Sequence, residues 1–242
     1  MIRIDIPSIG YGTRVLARDI RLDIAPGECI LLAGANGCGK TTLLRAIAEI
    51  PRTSRGMTDN PNDRHARPDR ASVSVMPSEC RASQPLLIPT GIPKVKGFTV
   101  RSFIRTGCFR ESRWKRSEAL ESRITDALAA LGIAELDGRD LSTLSDGQFQ
   151  KACLAIALTR RADLLLLDEP TAFLDVEGRR AVLQTIRDMS RASGISVVFS
   201  SHDLRDALEV ADRVAGITPD GRFLVSSPSD REAILDRLFS WR

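Results

Sequence analysis

Residues 34–42 read Gly-Ala-Asn-Gly-Cys-Gly-Lys-Thr-Thr, and residues 144–151 read Leu-Ser-Asp-Gly-Gln-Phe-Gln-Lys. The first stretch fits G-x-x-x-x-G-K-[ST] and stands between an apolar run, "CILLA", and a helical pattern, "TTLLRAIAEI". That context marks a phosphate loop. Gly34, Gly37 and Gly39 let the backbone wrap an anion without Cβ clashes, and the loop N–H groups turn inward. Lys40 adds a point charge for the β- and γ-phosphates, and Thr41 offers a hydroxyl to Mg²⁺. Cys38 is read as a small residue that fits the loop, rather than as a reactive thiol at a helix start. The second stretch puts Ser145 and Gly147 where another helix begins, ahead of "ACLAIAL". A side-chain cap, free N–H groups and a helix dipole make a second anion site there.

A carboxylate pair completes the chemistry. "LLLLDEP" ends a buried apolar run in Asp168 and Glu169. Asp168 is placed to hold Mg²⁺, commonly through water. Glu169 takes no direct part in metal binding; it is placed to accept a proton from a water attacking the γ-phosphate.

The elements that must carry these groups alternate. "RIDI" and "RVLARDIRLDI" have the period of two expected of half-buried antiparallel strands, with a turn at Pro26-Gly27. "CILLAG", "LLLLDEP" and "GISVVFSS" read as buried strands, "SVSVM" as another strand, and "EGRRAVLQTIRDMSRAS" as a crossover helix. Residues 99–131 and 149–160 look helical, as does "HDLRDALEVADRVA". "GITPDGRFLVSS" reads as a hairpin and "SDREAILDRLFSWR" as a closing helix. Residues 51–70 are polar and turn-rich. Residues 83–97, with Pro85, Pro89 and Pro93, read as a structured loop. Its Leu86, Leu87, Ile88 and Ile92 need a cover, either the neighbouring helical unit or an external partner. Strands alternating with helices predict an α/β fold with a mainly parallel sheet.

Bulk properties narrow the classes. With 242 residues, 43% hydrophobic and 27% charged, the chain is long enough for a full core. Aromatics at 5% argue against a base-stacking surface, so nucleic acid is not an expected partner. The net charge of +4 is a mild excess. No apolar run reaches the roughly 18 residues of a membrane span, and "MIRIDIPSIGYG" lacks a signal-peptide core. Five cysteines without a C-x-x-C pair fit a reducing cytosol rather than disulfides or zinc.

The phosphate loop, "LSDGQ", "LLLLDEP", "TAFLD" and "SSHDL", in that order, resemble the ATP-binding cassette (ABC) ATPases over nearly the whole chain. The resemblance implies a P-loop NTPase (RecA-like) sheet with an antiparallel β subdomain and an inserted α-helical subdomain. It implies one ABC ATPase domain over 1–242, with an ATP-binding core at about 1–82 and 161–242 and a helical subdomain at about 98–160. In that family two cassettes pack head to tail. The signature helix of one then meets the ATP held by the other, which gives the second anion site its purpose. Ser145 and the Gly147 N–H would reach the partner's γ-phosphate, beside Gln148. Asp175 matches the D-loop aspartate and His202 the switch histidine, which with Glu169 and Lys40 makes the catalytic set. Asn36, Cys38 and Thr42 join the nucleotide-contacting loop. Tyr11 falls where the family stacks an aromatic on adenine; core packing is its competing role.

Two positions depart from the family pattern. Asp146 stands where glycine is usual, and a carboxylate near phosphate must point away. At the Q-loop, "MPSE" offers Ser78 and Glu79 in place of glutamine, with Gln84 nearby in a different local pattern. Within the family, "LSDGQ…K", "LDEPTAFLD" and "FTVRSFIRTGCF" are similar to the ATPases of iron-siderophore, haem and cobalamin importers. That implies a homodimer on the cytoplasmic face of a membrane. It would dock on integral-membrane permease subunits and be served indirectly by a substrate-binding protein, with ATP and Mg²⁺ as ligands. The alternatives are a soluble ATPase of an iron–sulfur assembly scaffold and an exporter ATPase.

Overall fold

A computed structural model of the chain describes residues 1–11, 14–48, 85–108 and 118–239. The expected strand "SVSVM" and the candidate Q-loop residues Ser78, Glu79 and Gln84 lie outside them.

The chain opens with a hairpin of β1 (Ile2–Tyr11) and β2 (Arg14–Ile24). Alternation sets its faces: Ile4 pairs with Leu22 and Ile6 with Ile20, and all four are buried. A second sheet contains β3 (Cys29–Ala33), β4 (Leu86–Ile88), β5 (Leu164–Leu167), β6 (Ser196–Ser200), β7 (Arg213–Ile217) and β8 (Phe223–Val225). Their order is β4-β5-β6-β3-β7-β8. All pairings are parallel except β7 with β8.

The central strands are apolar throughout because both faces are covered. Ile30, Leu32, Leu164 and Leu166 face α1 (Lys40–Ala48) and the hairpin. Leu31, Leu165, Leu167 and Phe199 face the larger core of α4 (Asp146–Arg160) and α5 (Val176–Ser193). That core runs on into the helical insert, α2 (Val100–Gly107) and α3 (Glu118–Ala130). Helix α4 is apolar on nearly every side because it is wedged between the insert and the sheet. Arg101 and Arg105 of α2 both donate to Glu121 of α3, and Arg101 also grips Asp137. The chain closes with α6 (Leu204–Val210) and α7 (Ala233–Phe239).

Two expectations are corrected. Residues 86–88 are not loop but the edge strand β4, with Leu86 opposite Leu165 and Ile88 opposite Leu167. Prolines 85 and 89 flank it, which an edge strand tolerates. Its side chains serve the protein's own core: Ile88 is buried, Leu86 and Ile92 pack on the helical side, and Leu87 packs on the α1 side. The external cover considered for this segment is therefore not required, and the core sheet takes in a strand beyond residue 82. The second correction is "DRVA". The helical pattern from His202 stops at Val210, and Arg213–Ile217 enters the sheet beside β3.

Candidate functional site

Strand β3 delivers the chain to the phosphate loop, and α1 begins at Lys40. Gly34 has φ +141°, and a Cβ there would lie 2.9 Å from the Ile217 carbonyl and 2.8 Å from Cys38 Sγ. Only glycine fits that conformation and that space. Asn36 is at the exposed loop tip. The buried Lys40 ammonium lies inside the loop and donates to the carbonyls of Gly34 (2.9 Å) and Ala35 (3.2 Å). Burial pushes the Cys38 thiol up, against the opposing pull of Lys40.

The loop is tied to the carboxylate pair. Thr41 Oγ1 donates to Asp168 Oδ2 at 2.9 Å, and Ser200 Oγ donates to Asp168 Oδ1 at 3.0 Å. The register of β5 with β6, which sets Leu167 against Phe199, brings Ser200 to the end of the acidic strand. Ser200 Oγ also accepts from the Glu169 N–H at 3.0 Å. Glu169 has φ +50°, in the left-handed region. A non-glycine residue there costs about 1–3 kcal/mol and persists where the surroundings impose it. The result aims Glu169 at His202, with Nε2 2.6 Å from Oε1.

The start of α4 is a complete capping box. Ser145 Oγ accepts from the Gln148 N–H at 3.2 Å, and Gln148 Oε1 accepts from the Ser145 N–H at 3.1 Å. A hydroxyl that accepts in this way keeps its own proton for another acceptor. Ser145 is exposed, and a Cβ added to Gly147 would meet nothing. Asp175 caps α5, accepting from the Gly178 N–H at 2.7 Å.

Tyr11 is 62% exposed, which removes core packing as its role. Its hydroxyl pairs with Thr42 Oγ1 at 2.7 Å, so the ring stands beside the phosphate-loop helix.

Several residues at this site carry no signal in the motifs themselves. Ser200 belongs to the "SSH" motif but its contact depends on strand register. Thr90 follows β4 and donates to the Asp168 carbonyl at 2.6 Å. Lys94 lies 2.6 Å from Asp146 Oδ1 and donates to the Leu144 carbonyl at 2.8 Å. The one sequence signal for them is the run "LLIPTG", a short apolar stretch closed by proline. Thr90, Lys94, Asp146, Asp168, Glu169 and Phe173 all line one cleft between the helical insert and the sheet.

Residue types alone test the fit to Mg²⁺. Thr41 Oγ1 and the Asp168 carboxylate are hard oxygen donors already within 2.9 Å of each other. Mg²⁺ is usually held by one or two protein oxygens while keeping water and binding substrate phosphates. The pair fits such an ion.

The ABC transporter family model matches residues 17–172. The petrobactin import ATP-binding protein FpuD of Bacillus anthracis is 32% identical over 87% of this chain and 75% of its own length. The zinc import ATP-binding protein ZnuC of Roseobacter denitrificans is 36% identical over 88% of this chain and 74% of its own length. A solved nucleotide-free ATP-binding cassette from an ABC transporter superposes with a TM-score of 0.75 at 16% identity, covering 100% of this chain and 95% of that one. A model match across most of the chain and relatives above 30% identity place this protein in the ABC transporter family, as an ATPase whose hydrolysis of ATP drives transport.

Proposed function

We propose that this chain powers an importer of an iron-siderophore or related metal chelate, acting as a head-to-tail homodimer. It would lie on the cytoplasmic face of a membrane, bound to separate permease subunits, with a substrate-binding protein supplying the cargo. Among the described residues no helix is long and apolar enough to cross a membrane. FpuD is named for petrobactin import and ZnuC for zinc import.

The observation that carries the dimer is the capped α4 start. It is exposed, keeps a hydroxyl proton to donate, and is not hydrogen-bonded to the phosphate loop. An anion-facing helix start of this kind fits a nucleotide held by a second copy.

In this reading Lys40 exchanges its two loop carbonyls for phosphate oxygens. Tyr11 covers the adenine. Thr41 and Asp168 would hold Mg²⁺, which would there neutralise charge on the phosphates. Glu169 accepts the proton of the attacking water, and His202 orients Glu169 and meets the γ-phosphate. Thr90 ties the end of β4 to the Asp168 carbonyl. Ser145 and Gly147 of one copy close on the γ-phosphate of the other, so ATP and not ADP joins the halves.

The cargo assignment is tested by uptake of radiolabelled ferric siderophores and zinc in a strain lacking this gene. Loss of ferric-siderophore uptake, restored by the gene, supports the chelate reading. Loss of zinc uptake alone contradicts it.

A further inference from the structure

Asp146 opens α4 between Ser145 and Gly147, so the helix start that would face a phosphate also carries a carboxylate. Like charges at such range oppose closure. The side chain has an ionic partner. Lys94 Nζ is 2.6 Å from Asp146 Oδ1, donates to the Leu144 carbonyl at 2.8 Å, and stands 5.8 Å from the Phe149 ring centroid. These three contacts bracket Ser145 from both sides. Lys94 itself comes from the segment between β4 and α2, four residues after Thr90 and its bond to the Asp168 carbonyl. Pro93 precedes it and stiffens its approach.

We propose that Lys94 is a positioning residue for the composite nucleotide site. It draws the Asp146 carboxylate aside from the phosphate seat and fixes the Leu144–Gln148 cap relative to the strand end that carries Asp168. The proposal rests on the reading of the α4 start as facing the partner's nucleotide. It explains how aspartate can stand where glycine is usual. Lys94 is 24% and Asp146 54% exposed, so the pair belongs to the class of surface ion pairs that add little stability. Its value lies in where the charge points.

A charge-specific rescue separates this role from a simple loop tether. Lys94→Met keeps the stem and removes the ammonium. ATPase activity of the dimer should fall about tenfold, through a raised ATP requirement, and the loss should shrink at high salt. Labelled ATP binding to the isolated chain should stay at the wild-type level. Adding Asp146→Asn to Lys94→Met should then restore the rate to within about threefold of wild type, because no carboxylate is left to be drawn aside. Wild-type activity in Lys94→Met, or a double variant as impaired as Lys94→Met, overturns the proposal. Ser145→Arg, measured alongside, identifies which reading failed. If Ser145→Arg keeps full ATPase activity, the assignment of the α4 start is wrong. If Ser145→Arg is inactive and the rescue fails, only the role of Lys94 is wrong.

Discussion

His202 Nε2 sits 2.6 Å from Glu169 Oε1, so the candidate base and the residue that orients it are already in contact. The contact is built from below: Glu169 is held at φ +50° with its N–H on Ser200. A proton acceptor fixed in this way has little freedom to lose at the moment of reaction.

Replacing Glu169 by glutamine keeps the shape and removes the proton acceptor. Turnover should fall about 10²–10⁴-fold while ATP still binds. Removing a negative charge that faces the γ-phosphate should also let the ATP-bound dimer accumulate. Gel filtration with ATP should show a dimer, and with ADP a monomer. Monomer in both, with hydrolysis near wild type, contradicts the base assignment.

Ile88 tests the edge strand. It is 5% exposed and lies opposite Leu167, next to Asp168. Ile88→Ala should cost roughly 2–5 kcal/mol, as deletions of buried aliphatic groups do. For a chain of this size that lowers the melting temperature of the isolated subunit by several degrees, since each kcal/mol shifts it about 2–4 °C. An unchanged melting temperature would return residues 86–88 to a surface role.

The helical insert carries an acid-sensitive clamp. Hydrogen bonds from Arg105, and then from Arg101, hold the Glu121 carboxyl below its ordinary value. A carboxylate whose folded value is depressed stabilises above its unfolded value, about 4.3, and that stability is lost as pH falls through the folded value. Glu121→Gln should therefore lower the melting temperature by about 2–4 °C at pH 7, for a loss near 1 kcal/mol. The difference from wild type should narrow below pH 4. A difference that stays constant down to pH 3 would remove the ionic basis of the clamp.

The parts of the fold legible in the sequence were those with a long pattern or a chemical requirement. The alternating hairpin, the run into the phosphate loop, "LLLLDEP" and the 18-residue α5 all declare themselves over many residues. Strand β4 did not, because three residues between prolines carry no period. Residues 213–215 read as helix because the pattern of "HDLRDALEV" extends without a break into "ADRVA"; pairing with β3 overrides it. The site shows the same division. Lys40, Thr41, Asp168 and Ser145 follow from residue type and spacing. The left-handed Glu169, the Ser200 bridge, Thr90 and Lys94 depend on strand register and on contacts between distant segments, which no local pattern encodes.

The central claim is that each nucleotide site combines the phosphate loop of one copy with the α4 start of the other. Mixing two inactive variants tests it most directly. Lys40→Ala disables a phosphate loop, and Ser145→Arg fills the seat that α4 offers. In a head-to-tail dimer of the two, one composite site carries both lesions and the other carries none. ATPase activity should therefore reappear on mixing and rise with the fraction of mixed dimers. If each α4 start serves its own chain, every site holds a lesion, and the mixture will stay at the sum of the two separate activities.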